Sequence, residues 1–162
     1  MKFLKPIAFS CLLSVGLSSH ANSLLLEAAD FTLPNMQSDN SLTLSDYRGN
    51  IIFLDFWASW CRTCIRSFPF MKQLQAEYGE QGLQVIAINM DQDEKQAHRF
   101  LKKYSPNFLV ARDSAGTVAI DYGVQALPTS FLISREGEII LRHKGFRKKH
   151  YKQLQLLIEE NL

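Results

Sequence analysis

The chain has 162 residues, 46% of them hydrophobic and 21% charged, with a formal net charge of +2. Those values suit one soluble domain large enough to bury a core of its own. Neither sign of charge is in enough excess to mark a binder of nucleic acid or of a membrane surface.

The chain opens on a leader. Lys2 and Lys5 precede an apolar run over 7–17, and Ser19 and Ala21 stand three and one places before a cut ahead of Asn22. This is the layout of a secretory signal peptide, 1–21, followed by a domain over 22–162. The apolar run is far short of the roughly 20 residues that span a bilayer. Cys11, in the middle of that run, sits too early to carry a lipid. A periplasmic protein is expected, membrane-anchored only if the leader is retained. The leader holds two of the 18 basic residues and none of the 16 acidic ones, so its removal leaves 16 of each. It also takes Cys11, leaving Cys61 and Cys64 as the only cysteines.

Residues 30–34 and 41–44 alternate apolar with polar around a turn-rich stretch and predict an N-terminal hairpin. Ile51–Trp57 is an almost unbroken apolar run, the pattern of a strand covered on both faces. Over Arg62–Tyr78 the residues Ile65, Phe68, Leu74 and Tyr78 recur at helical spacing, and Gly79 and Gly82 mark the end. Residues 83–90 predict a second buried strand. Glu94–Tyr104 predicts a helix with Ala97, Phe100, Leu101 and Tyr104 inward, followed by a short strand over 108–111 and a short helix over 116–122. A hairpin of 130–134 with 138–143 and an amphipathic helix over 148–161 complete the chain. The order predicts an α/β sandwich with a central mixed β-sheet flanked by helices, its first crossover parallel and its last hairpin antiparallel.

The chemistry centres on Cys61 and Cys64. A two-residue spacer closes too short a loop to make a good structural staple. A single C-x-x-C supplies only two zinc ligands, and His20, His98, His143 and His150 show no paired finger spacing, so no metal and no cofactor beyond the cysteine pair is expected. Redox exchange is the stronger reading. Cys61 falls at a strand-to-helix junction, where free backbone N–H groups and the helix dipole favour a thiolate. Moving a cysteine pKa from about 8.5 to about 7 takes roughly 2 kcal/mol, of which the dipole supplies about 0.3–1. Arg62 is the candidate for the remainder. Cys61 is then expected to be the exposed attacker and Cys64, one turn deeper, the shielded resolving thiol. Asp55, inside the apolar strand, is expected to be buried with a raised pKa, placed to take the proton from Cys64.

The segment Asp55-Phe56-Trp57-Ala58-Ser59-Trp60-Cys61-Arg62-Thr63-Cys64 resembles the active-site segment of the thioredoxin superfamily, and Pro69 matches its helix-kinking proline. Leu127-Pro128-Thr129 resembles that family's cis-proline loop. The leader, the N-terminal hairpin and the inserted helix and strand are similar to the TlpA/ResA branch of exported reductases, from about Asp30 to the C-terminus. The resemblance implies a thioredoxin-like fold with an N-terminal hairpin extension and an inserted helix–strand. It also implies Cys61 as nucleophile, Cys64 as resolver, Asp55 as proton acceptor, and Trp60, Leu127, Pro128 and Thr129 as substrate-contacting residues. Trp57 is expected mainly to pack.

The departures are informative. Arg62 and Thr63 stand where many relatives carry a proline, and they are expected to tune the potential toward oxidation; about 30 mV corresponds to about 1.4 kcal/mol. Ala87 stands where thioredoxin has a lysine near its buried acid, which leaves Asp55 freer to rise in pKa. Thr129 stands where the reductases dedicated to cytochrome c maturation often have Glu. Asp91, Asp93 and Glu94 are read as a solvated helix start, with one of them tuning the dithiol as the alternative. Arg142, Lys144, Arg147, Lys148, Lys149 and Lys152 are read as a solvated face, with docking of an acidic partner as the alternative.

The leading function is a periplasmic dithiol reductase of disulfides in exported client proteins, fed by a membrane thiol donor. An oxidant or isomerase of the same fold is the near rival. A peroxiredoxin-like peroxide reductase is disfavoured because Ala58 stands where those enzymes place Thr before the cysteine. A non-catalytic binding module is the third alternative.

Overall fold

A computed structural model describes residues 26–162. The expected leader and Cys11 lie outside the described residues. The elements are β1 (Thr32–Pro34), β2 (Ser41–Thr43), β3 (Ile51–Trp57), α1 (Arg62–Tyr78), β4 (Leu83–Asn89), α2 (Glu94–Tyr104), β5 (Leu109–Arg112), α3 (Thr117–Asp121), β6 (Thr129–Ile133), β7 (Ile139–Lys144) and α4 (Tyr151–Asn161). Differences from the sequence reading are of one residue at most strand ends. The last helix begins later, because 148–150 forms a 3₁₀ turn before α4.

Five strands form one mixed sheet in the order β5-β4-β3-β6-β7, and β1 and β2 form a separate antiparallel pair. β3 runs parallel to β4 and antiparallel to β6, and β6 runs antiparallel to β7. The thioredoxin-like fold, with its hairpin extension and inserted α2–β5, is the architecture expected from the sequence. The hairpin guards the β5 edge: Met36 N–H bonds to Val110 O at 2.8 Å, and the Gln37 side chain bonds to Phe108 O and Val110 N–H. An edge left bare would be a template for aggregation.

All seven residues of β3 are buried, and their alternation divides the core in two. Phe53 and Trp57 face α1 with Val85, Ala87, Phe68, Phe70, Phe100 and both cysteines. Ile52, Leu54 and Phe56 face the other way, with Ile86, Ile88, Phe131 and residues of the hairpin and α3. Trp57 is fully buried against Phe68 and Phe100, ring centroids 4.8 and 4.7 Å away, and so it packs as expected.

Candidate active site

β3 delivers the chain to the end of the sheet, and Ala58–Trp60 turns it into α1. Cys61 is the N-cap of that helix: its Sγ accepts the Cys64 backbone N–H at 3.2 Å. A sulfur at this position meets the free amides that every helix leaves at its N-terminus, which stabilise an anion there. Cys61 and Cys64 are joined as a disulfide, Cα atoms 5.2 Å apart. Cys64 is completely buried, as expected. Cys61 differs from expectation: it is only 6% exposed, held as the α1 N-cap with its N–H bonded to Ala58 O and its sulfur bonded to Cys64. It is still the less buried of the two cysteines.

Arg62, expected to favour a Cys61 thiolate, has no thiolate to meet in this disulfide form. It is exposed and makes no ion pair among the described residues; an exposed guanidinium gains little by leaving water for one partner. The side-chain group at Cys61 Sγ is the Thr63 hydroxyl, 3.4 Å away.

Asp55 is wholly buried, on the α1 side of β3 between Phe53 and Trp57, the two residues that pack with the cysteines. Its register partners are Ala87 on β4 and Ser130 on β6, and Ser130 lies opposite His143 on β7. The Ser130 hydroxyl donates to Asp55 Oδ1 at 2.7 Å, while Oδ2 has no partner. Burial pushes the carboxyl from 3.8 to about 7, with the Ser130 hydrogen bond opposing the rise. A group with that affinity for a proton exchanges it readily at neutral pH.

The Leu127–Pro128 peptide bond is cis. Pro128 O accepts the N–H of Gly145 at 2.8 Å, and Gly145 has φ +75°, where a side chain would be strained. Thr129 is buried and its hydroxyl donates to Ala126 O at 2.7 Å, so it fastens the loop from beneath. Leu127 is half-buried, and Trp60 is 66% exposed on the opposite flank.

Asp91 overturns the reading of the acidic cluster as a solvated helix start. It is 2% exposed; Ser59 donates to it from its backbone N–H and its hydroxyl, both at 3.0 Å, and Asn89 Nδ2 donates at 2.8 Å. A buried carboxylate is tolerated when donors surround it. Asp91 therefore pins the bend two residues before Cys61. The Asn-x-Asp pair at the end of a buried strand, where α/β sheets place their sites, was the available signal. Asp93 is the N-cap of α2, accepting Lys95 N–H, and Glu94 is exposed.

A redox-active C-x-x-C at a helix N-terminus, on a thioredoxin-like sheet and beside a cis-proline loop, defines a thiol–disulfide oxidoreductase. The comparisons agree. The thiol-disulfide oxidoreductase ResA of Bacillus thuringiensis subsp. konkukian is 37% identical over 123 residues, 76% of this chain and 70% of its own. A Chlorobium tepidum structure assigned as thiol:disulfide interchange protein DsbE matches with a TM-score of 0.82 at 42% identity, covering 85% of this chain and 96% of that one. An exposed lipoprotein thioredoxin of Streptococcus pneumoniae matches with a TM-score of 0.70 at 30% identity, covering 82% and 99%. The redoxin family model matches residues 26–156, and the chain belongs to that family, as a thiol–disulfide oxidoreductase of the ResA/DsbE type.

Proposed function

We propose that the chain is an exported dithiol reductase of disulfides in periplasmic client proteins, with residues 1–21 a cleaved leader and 22–162 the working domain. The observation that carries this reading is the Cys61–Cys64 disulfide, closed at the α1 N-terminus with one cysteine barely accessible and the other sealed. In the reduced protein the Cys61 thiolate attacks a client disulfide, forming a mixed disulfide and releasing one client thiolate, which takes a proton from solvent. Cys64 then gives its proton to Asp55 and attacks Cys61 Sγ, expelling the second client thiolate. Two electrons pass to the client and the protein disulfide is restored.

Trp60 and Leu127 serve as the client-contacting surface, with Pro128 shaping the loop by analogy with the family's cis-proline; Thr129, expected to touch the client, is buried and instead holds that loop from beneath. Arg62 and Thr63 tune the potential, with Thr63 the nearer of the two to the sulfur. No cofactor beyond the disulfide and no metal takes part. Among the described residues no helix is long and apolar enough to cross a membrane.

The test is a trap. Cys64→Ala should accumulate mixed disulfides through Cys61 in the exporting cell, and Cys61→Ala should not. A measured potential near −120 mV, that of a strong oxidant, would reverse the proposed direction.

A further inference from the structure

Two grooves of opposite charge begin within two residues of the dithiol along the chain, one at Trp60 before Cys61 and one at Arg66 after Cys64. The first, of about 370 Å³, is lined by Trp60, Met90, Asp91, Gln92, Asp93 and Gln96, with carboxylates and no cation. The second, of about 620 Å³, is lined by Arg66, Pro69, Phe146, Arg147, Lys148 and Tyr151, with cations and no carboxylate. The exported chain holds equal numbers of acidic and basic residues, so this contrast is local sorting and not an overall excess.

The basic groove is joined to the site by two short chain connections. Arg62, Arg66 and Pro69 are spaced i, i+4, i+7 on α1 and all three are exposed, so the cationic stripe begins inside the C-x-x-C spacer. Phe146 follows Gly145, whose N–H is bonded to the cis-proline carbonyl. The floor is aromatic: Phe146, Tyr151 and Phe70 are packed with centroids 4.5–5.6 Å apart, and the Tyr151 hydroxyl donates to Arg66 O. Among the described residues no carboxylate lies within ion-pair distance of Arg62, Arg66, Arg147 or Lys148. An apolar floor ringed by unpaired cations selects by charge at the rim and by burial at the centre.

We propose that this groove docks an acidic segment of the client, next to the client's disulfide, with an apolar side chain on the aromatic floor. The proposal rests on the reading of the chain as a reductase of protein disulfides, and it makes Arg62 the first contact of a docking strip.

The test uses the reduced protein and three disulfide peptides, identical except for Glu-Glu-Phe, Gln-Gln-Phe or Lys-Lys-Phe beside one cysteine. The kcat/KM for the acidic peptide should exceed that for the basic one about tenfold at about 20 mM salt and fall within about twofold at about 0.5 M. Arg66→Glu combined with Arg147→Glu should invert the ratio, which is read within one variant and so is insensitive to partial loss of folded protein. Replacing Phe by Gly in the acidic peptide should lower its rate about threefold. Equal rates for all three peptides would overturn the docking proposal and leave the reductase reading standing. Reaction with none would overturn the reductase reading itself. Equal rates together with sedimentation on vesicles containing phosphatidylglycerol would assign the cations to a membrane surface instead.

Discussion

The two faces of the five-stranded sheet are made from alternate residues of the same strands, and they are built to different ends. The face under α3 and the hairpin is filled by Ile52, Leu54, Phe56, Ile86, Ile88, Phe131 and Ile133. The face under α1 carries comparable apolar bulk in Phe53, Trp57, Phe68 and Phe100, but buries Asp55 among them and ends at the cysteines. A buried ionisable group lowers stability when it ionises, whereas a packed ring only adds to it. Stability and chemistry are thus divided between opposite sides of one strand.

That division can be broken first at the sulfur. Cys61→Ser should abolish disulfide reduction altogether in a turnover assay, with the fold intact by circular dichroism. Phe56→Ala, on the other face, should cost about 3–5 kcal/mol in denaturant unfolding. It should leave the reduction potential within about 10 mV of wild type. A larger shift would mean that the passive face reaches the dithiol. Asp91→Ala should cost roughly 2–4 kcal/mol, because it leaves the Ser59 amide and the Asn89 side chain without their acceptor. It should also slow exchange at Cys61, since the Ser59 anchor it removes sets the position of Cys61 two residues further on.

Asp55 gives the comparison a pH axis. An aspartate in the unfolded chain titrates near 3.8 and the native group at about 7. Between those values the native state keeps a proton that the unfolded chain has lost, so stability falls as pH rises through that window and levels off above it. Asp55→Asn should remove this slope and add roughly 1–4 kcal/mol at pH 8, read by thermal or denaturant unfolding across pH. The same variant should slow the release of client from the mixed disulfide. Trp60→Ala is the smallest change expected, within about 0.5 kcal/mol in stability, because an exposed ring contributes little to the fold.

The strand–helix order was legible because β3 and β4 are apolar on both faces and the helices carry clean 3.6-residue spacing. The dithiol, and the burial of Asp55 with its raised pKa, were legible because a carboxylate in such a strand has nowhere polar to point. Asp91 was misread, since an acidic run after a strand has the same local pattern whether its first member turns inward to Ser59 or outward to water. The difference lies in a contact spanning 32 residues, which periodicity does not carry. The direction of Arg62 was not legible for a related reason: adjacency in sequence to Cys61 does not fix where the side chain points, and helical spacing lines it up with Arg66.

The near-closure over Cys61 sets the order in which partners are served. With Cys64 sealed and Cys61 open by a sliver, donor and client have one cysteine between them. They cannot be bound in exchange together, so turnover must alternate: one partner leaves before the other arrives. Double-reciprocal plots at several donor concentrations should then run parallel, and either partner in excess should obstruct the other at the same doorway.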